Sequence, residues 1–162
     1  MRPLPTSKLD PRIKMVWRLN DALWITILAL CLVLPLWLIS LDADEPLLST
    51  AAIVAAVIAV ALYVLCLVVL PPIRYQRWRY QLTEDYLEIA LGIVWRKRFI
   101  IPFIRVQNTD TRQGPIMRAF GLSSVTVATA AGNHEIPGLD VEQAEQVRDR
   151  AAELARLARE DV

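Results

Sequence analysis

The side chains that most often carry enzymatic chemistry are few and scattered in this sequence. His134 is the single histidine, and the two cysteines, Cys31 and Cys66, fall in long uncharged stretches. Ser123-Ser124 lacks the Gly-x-Ser-x-Gly surroundings of a hydrolase nucleophile, and the chain holds neither a phosphate-binding loop nor a dinucleotide fingerprint. The sequence therefore predicts no catalytic site, no metal site and no cofactor, and we interpret His134 as a structural residue.

Three acidic residues, Glu84, Asp85 and Glu88, lie close together near a predicted hairpin. Paired carboxylates can act as general acid and base. Turn chemistry and solvation explain these three without any reaction. We therefore expect a protein that is not an enzyme.

The strongest binding chemistry lies in residues 93–98 (IVWRKR), directly after a predicted strand. Apolar side chains exposed at a hairpin tip are costly in water unless something covers them. Trp favours the bilayer interface, and each Lys or Arg near an anionic surface contributes about 1 kcal/mol. We therefore predict a membrane-surface or partner contact made by Trp95, Arg96, Lys97 and Arg98. In the alternative, Trp95 closes the end of the sheet and the cations form a solvated turn.

A second candidate surface follows from the polar, alternating texture of residues 105–111 (RVQNTDT), which suits an edge strand or a half-exposed strand. An open edge can accept an extended segment of another protein. The candidate edge contact consists of Val106, Gln107, Asn108, Thr109, Asp110 and Thr111.

Charge is distributed unevenly along this part of the chain. Residues 96–118 hold six cations against Asp110 alone, whereas residues 135–162 hold eight acids against four cations. We therefore expect an electrically polarised domain. The net charge of only +1 and the short basic cluster argue against nucleic-acid binding.

The elements that must position these residues divide into two classes. The chain is 55% apolar and 22% charged, but residues 23–70 carry only three charges. Leu23 to Leu41 is an uncharged run of 19 residues, about 28 Å as a helix, and Leu47 to Leu70 is a second uncharged run of 24. The short acidic connection at residues 42–46 forces a hairpin of two membrane-spanning helices. This composition excludes an ordinary soluble enzyme, a secreted disulfide scaffold and a disordered tail.

The Lys and Arg residues around the two spans predict their orientation. Five precede the first span, none lies in the connecting loop, and Arg74, Arg77 and Arg79 follow the second. Basic flanks stay in the cytoplasm, so both termini are expected inside, at the inner (cell) membrane. We expect Pro35 to bend the first helix and Pro71-Pro72 to end the second. A cleavable signal peptide fits less well, because a second span follows the first so closely.

The predicted layout has five parts. They are a cytoplasmic segment at 1–22, transmembrane helices at 23–41 and 47–70, an external loop at 42–46, and a cytoplasmic domain at 75–162. In the last part we predict strands at 80–82, 86–91, 98–103, 105–111, 123–130 and 134–136, and one or two helical turns at 115–120. A C-terminal helix begins after its cap, Asp140, with Gln143 as the capping-box partner. These elements predict a small β-sandwich or barrel closed by a helix.

Several short motifs follow one another in a characteristic order. They are residues 79–85 (RYQLTED), 92–98 (GIVWRKR), 101–102 (IP), 105–110 (RVQNTD), 113–122 (QGPIMRAFGL) and 134–139 (HEIPGL). With the two preceding spans, they resemble the bacterial pleckstrin-homology-like (PH-like) domains of YdbS-like membrane proteins. The resemblance implies a seven-stranded, strongly bent sheet, or partly open barrel, capped by a C-terminal helix. It implies little about activity, and the fold alone does not establish phosphoinositide binding.

Two function classes follow from these patterns. In the first, the protein is a membrane-anchored PH-like module that binds a partner, either a related PH-domain membrane protein or a second copy of itself. In the second, the domain binds or senses membrane lipid, in envelope homeostasis or in resistance to membrane-active compounds. The polar edge strand favours the first class, and the Trp95 tip favours the second.

Overall fold

The computed structural model describes residues 4–43 and 46–160. Asp44 and Glu45 of the predicted external loop lie outside the described residues. The described chain forms two compact units, one from the residues up to Val16 and from Ile73 onward, the other from Trp17–Pro72. The helices are α1 (Ile13–Ala43), α2 (Pro46–Val64), α3 (Leu70–Arg77), α4 (Pro115–Ala119) and α5 (Val141–Glu160). The strands are β1 (Arg79–Leu82), β2 (Tyr86–Leu91), β3 (Lys97–Pro102), β4 (Val106–Arg112), β5 (Leu122–Thr129) and β6 (Gly132–Asp140).

The unit formed by Trp17–Pro72 is a pair of apolar helices. The stretches Ile13–Leu41 and Pro46–Arg77 are both long and apolar enough to cross a membrane. The hydroxyls of Thr26 and Tyr63 share a hydrogen bond between the helices, and the Tyr63 hydroxyl also donates to the Ala22 carbonyl at 3.2 Å. Polar side chains inside this unit therefore bond to each other and to the backbone, as a low-dielectric environment requires.

The expectation that Pro71-Pro72 ends the second helix is wrong. A π-helical turn at Leu65–Val69 leads directly into α3, which continues through both prolines to Arg77. Pro71 has no N–H to donate to the carbonyl four residues earlier, that of Leu67. The Arg18 Nε donates to this carbonyl instead, at 2.8 Å. At this carbonyl, a side chain from the other helix thus takes the place of the missing backbone donor.

The remaining unit contains two three-stranded antiparallel sheets, ordered β1-β2-β3 and β4-β5-β6. The buried side chains include Leu87 and Ile89 of the first sheet and Val125, Val127 and Ile136 of the second. The described residues thus contain six strands rather than the seven implied by the resemblance. Ser7 pairs with Tyr80 through two backbone hydrogen bonds of 3.1 Å, so the N-terminal segment extends the first sheet by one residue beside β1.

The last strand is longer than predicted. The sequence indicates a strand at 134–136, because Pro137 and Gly138 usually end one, but β6 runs from Gly132 to Asp140. The register with β5 shifts at Ser124, where Pro137 and Gly138 oppose a single residue. This bulge, with Gly138 at φ +63°, absorbs both residues and lets pairing resume at Leu139.

The C-terminal helix α5 covers the sheets with Ala144, Ala151, Leu154 and Ala155, which are all buried. The Asp140 carboxylate accepts the Glu142 N–H at 3.3 Å, as expected of the cap. The capping-box prediction for Gln143 is wrong, since its amide donates to the Tyr80 hydroxyl at 3.1 Å. That long-range bond ties the first turn of α5 to β1.

The N-terminal segment also belongs to the core of this unit. Leu9 and Ile13 are buried, and Ile13 is fully so. The Asp10 N–H donates to the Gly138 carbonyl at 2.9 Å. A Cβ on Gly138 would lie 2.4 Å from the Ile13 side chain, so the glycine is needed for this close approach. The N-terminal segment and the first residues of α1 therefore belong to the same unit as the residues from Ile73 onward.

Candidate functional site

The predicted contact tip is the turn between β2 and β3, which pair up to Leu91 and Lys97. Gly92 has φ +115°, and a Cβ there would lie 1.9 Å from the Trp95 carbonyl oxygen. This tight turn projects Val94 and Trp95 outward, and each is 81% exposed. The alternative in which Trp95 closes the end of the sheet does not describe this structure.

The cations of this tip divide into two kinds. Arg96 and Lys97 are exposed at the turn. Arg98 lies on β3 and forms an ion pair with Glu88 on β2, whose side chain is buried. The interpretation of Glu88 as a solvated carboxylate is therefore wrong, because burial requires a charged partner for it. Arg98 is also exposed, but it is held against the sheet by this ion pair.

The end of α3 holds the tip in place. Arg77 Nη1 donates a hydrogen bond of 2.7 Å to the Ile93 carbonyl. The turn therefore has a defined position relative to Arg77, in addition to the strand pairing at its base.

The second candidate surface, strand β4, lies at the edge of the sheet β4-β5-β6. Val106 is buried and belongs to the core, whereas Gln107, Asn108 and Asp110 are exposed and Thr109 and Thr111 are half-buried. The register shifts between Val106 and Asn108, so Gln107 forms a bulge before regular pairing begins. The structure thus places an exposed polar edge at residues 107–111, on a different sheet from the Trp95 tip.

A groove of about 380 Å³ lies between β4 and α5. Gln107, Asn108 and Thr109 form one side, and Ala152 and Arg156 lie on the other. Arg159 donates a hydrogen bond to the Val106 carbonyl at one end of this β4–α5 groove. A second cleft, of about 490 Å³, shares Val106, Gln107 and Arg159 with the groove and adds Arg105 and His134. Sequence reasoning missed both, because α5 and β4 are far apart in the chain.

The residues considered for catalysis have structural surroundings. The His134 ring packs against Phe99 with centroids 5.0 Å apart. The hydroxyls of Ser123 and Ser124 donate to the Arg112 carbonyl. Within residues 4–43 and 46–160, no group of three or more His, Cys, Asp or Glu side chains has a metal-binding arrangement.

Sequence reasoning also missed an ionic cluster around Arg12. The guanidinium contacts Asp10 at 2.9 Å, Asp140 at 2.7 Å and the Phe120 carbonyl at 3.0 Å. Hydrogen bonding from Arg12 lowers the pKa of the Asp10 carboxyl. The Asp10–Arg12 spacing is a local signal, but the contacts with Phe120 and Asp140 depend on tertiary structure.

Comparison with known proteins identifies the family. The family model described as bacterial PH domain matches residues 20–155. This chain belongs to the bacterial PH domain family. It is 32% identical over 162 residues to the UPF0699 transmembrane protein YdbS of Bacillus subtilis (strain 168), covering the whole of both chains. It is 26% identical over 108 residues to the UPF0699 transmembrane protein YdbT of the same strain, covering 64% of this chain and 22% of YdbT.

No solved structure matches the chain. The family match and the full-length likeness to a transmembrane protein confirm the resemblance predicted from the short motifs. Together with the two apolar helices, they identify this bacterial PH domain protein as a membrane-associated PH-like module.

Proposed function

We propose that the protein is a non-enzymatic module, anchored in the inner membrane, whose PH-like domain binds a partner protein at the cytoplasmic face. The position of β4 at a sheet edge, with exposed side chains at residues 107–111, is the observation that carries this proposal. An unpaired strand edge offers backbone donors and acceptors to an incoming segment. The partner we favour is a larger membrane protein with a related domain.

Two further observations support the proposed partner and the proposed orientation in the membrane. YdbT shares a matching region that makes up 22% of its length, so larger transmembrane proteins with such a region exist. The residues up to Val16 and those from Ile73 onward form one unit, so the chain leaves and re-enters the same domain around the hairpin. That connection, with the basic residues flanking the spans, is what a hairpin with both termini in the cytoplasm requires.

The partner contact can be tested with a photo-crosslinking amino acid placed at Asn108 in the full chain, in native membranes. The matched control carries the same amino acid at Glu153, an exposed position of α5. We expect Asn108 to form an adduct with one protein that also copurifies stoichiometrically, and Glu153 to form none. Identical adduct patterns at the two positions would count against an interface at β4.

A second candidate function, contact with the membrane surface, is favoured by the Trp95 tip. Val94 and Trp95 are 81% exposed beside Arg96 and Lys97, the composition that interfacial anchors use. The tip is bonded to Arg77, whose Cα lies within about 25 Å of that of Leu70 in any arrangement of the two units, because only seven peptide units separate them. Arg77, and with it the tip, therefore cannot lie far from Leu70, the predicted end of the second span.

This candidate can be tested on the full chain in nanodiscs. Cys31 and Cys66 are replaced by Ala, and an environment-sensitive fluorophore is attached at Val94→Cys or, as the control, at Asn133→Cys, an exposed position at the start of β6. We expect spin-labelled lipid to quench the fluorophore at position 94 alone. Neutralising Arg96 and Lys97 should reduce this quenching in anionic nanodiscs. Equal quenching at positions 94 and 133 would reject the tip as a membrane contact.

A further inference from the structure

We propose that the β4–α5 groove selects an extended, acidic segment of the partner protein. This inference rests on the proposed partner-binding function and adds the chemistry of the segment that is bound. Three properties of the groove carry it: its shape, the regular part of its edge strand and its charge.

The shape of the groove suits an added strand. Asn108 and Thr109 of β4 line one side, and Ala152 and Ala155 of α5 leave room opposite them because their side chains are small. An incoming strand lies about 4.8 Å from the edge and places alternate side chains on each face. Its inward side chains would therefore point at the two alanines.

The bulge at Gln107 limits where such a strand can pair. Regular register runs from Asn108, opposite Ala128, to Arg112, opposite Ser124. Bulges protect sheet edges from indiscriminate pairing. The open edge is therefore short, about one strand of average length, and its N-terminal end lies beside Arg159.

The N-terminal end of the open β4 edge is surrounded by positive charge. Arg156 pairs with Glu160 at 2.7 Å, so these two charges offset each other. Arg159 bonds to a carbonyl, which leaves its positive charge in place. The adjoining cleft adds Arg105 and His134, and no acidic side chain is among the described residues that line it.

This arrangement distinguishes among segments of equal length. A carboxylate next to Arg105 and Arg159 would gain two charge-assisted hydrogen bonds, whereas a lysine there would be repelled. The apolar floor of the cleft includes Ile100 and Ile104, so an aliphatic residue beside the carboxylate is accommodated. The occupant that fits is an extended segment in which acidic and aliphatic residues alternate.

The test uses the full chain in neutral phosphatidylcholine nanodiscs and three fluorescein-labelled peptides of nine residues. The peptides share an alternating Val/Thr framework and carry two Glu, two Gln or two Lys at the same end. We expect fluorescence anisotropy at low salt to show about tenfold tighter binding of the Glu peptide than of the Gln peptide. The Lys peptide should bind more weakly than either.

Variants assign the preference to the two arginines. Arg105→Gln with Arg159→Gln should remove the advantage of the Glu peptide and leave the Gln peptide unchanged. Arg105→Glu with Arg159→Glu should reverse the preference toward the Lys peptide, a gain that an unfolded protein would not produce. The matched control, Arg118→Gln with Arg150→Gln, makes the same change in net charge away from the groove and should keep the preference.

The outcomes separate this inference from the proposed function. Equal binding of all three peptides, lost when alternate peptide amides are N-methylated, would overturn acidic selectivity and leave strand addition at β4 intact. No binding of any peptide, or binding insensitive to N-methylation at either set of amides, would overturn the groove as a strand site. Loss of Glu-peptide binding in nanodiscs containing anionic phosphatidylglycerol would instead mean that Arg105 and Arg159 bind lipid headgroups, which would overturn the inference.

Discussion

Within residues 93–98, the exposed side chains differ in how they are held. Trp95 is 81% exposed at the turn, while Arg98 forms an ion pair with the buried Glu88. Trp95 lies in the turn that follows Gly92, the glycine with positive φ. Arg98 lies on β3, where pairing with β2 has already begun. Of the four residues predicted for this contact, Arg98 is therefore the least suited to an external partner.

Gly92 is the residue on which the tip geometry depends. Gly92→Ala combines an unfavourable φ of +115° with a Cβ 1.9 Å from the Trp95 carbonyl oxygen, so we expect a loss of about 1–3 kcal/mol in the free energy of unfolding. Gly114→Ala is the control, since Gly114 has φ −75° and open space around it. Chemical denaturation of both variants in detergent measures the difference. Equal stabilities would contradict the strained turn.

Arg12 links the N-terminal segment to the rest of its unit, and the lowered pKa of Asp10 makes the link sensitive to acid. A carboxyl with a folded-state pKa below its unfolded value of 3.8 stabilises the fold above 3.8, and the contribution disappears as the pH falls through the folded pKa. We expect Arg12→Gln to flatten the fall of Tm below about pH 4. Thermal unfolding across pH, with Arg118→Gln as control, tests this. Parallel curves for Arg12→Gln and the unmodified chain would refute it.

At the scale of elements, α5 determines much of the domain's stability. It is amphipathic, and its buried side chains cover sheets that could otherwise expose their apolar faces. A domain of this size buries a limited core, so each buried side chain on α5 matters. The same helix supplies one wall of the β4–α5 groove.

Two leucines of α5 allow a matched test of this view. Leu154 is 6% exposed and Leu157 is 39% exposed. We expect Leu154→Ala to cost about 2–5 kcal/mol and Leu157→Ala less than about 1 kcal/mol, because only the first leaves a cavity in the core. Denaturant unfolding of the two variants measures both values. A larger loss for Leu157→Ala would mean that the helix packs through its other face.

At the scale of the whole molecule, the PH-like domain is assembled from two separate stretches of the chain. Leu9 and Ile13 lie on the N-terminal side of Trp17–Pro72 and are buried in the unit that continues from Ile73. The domain therefore has two covalent connections to the hairpin rather than one.

This architecture predicts how fragments behave. We expect residues 75–162 alone to aggregate or to lack a cooperative unfolding transition, because Ile13 no longer fills the space beside Gly138. Joining residues 1–16 to residues 73–162 through a flexible Gly/Ser linker of about 20 residues should restore cooperative unfolding. The same linked fragment with Ile13→Asp is the control and should not fold. A well-folded 75–162 fragment, seen by circular dichroism and thermal melting, would contradict the prediction.

Elements with a local signal could be predicted from the order of the amino acids. Uncharged runs identify the apolar helices, since the bilayer demands length and composition. Period-two alternation predicted the strand at 123–130, which the structure has as β5, Leu122–Thr129, and one polar residue next to an amphipathic run located the cap of α5. The edge character of β4 also followed from its polar texture.

Contacts between distant residues became visible once the chain was folded. The continuation of α3 through Pro71-Pro72 accompanies a hydrogen bond from Arg18, many residues away. The burial of Glu88 depends on Arg98 across a strand pair, and the long β6 depends on a bulge opposite Ser124. The β4–α5 groove and the inclusion of Ile13 in the core involve residues widely separated in the chain. Such contacts leave no periodic signal, because their energy comes from packing and hydrogen bonding that exist only once the chain has folded.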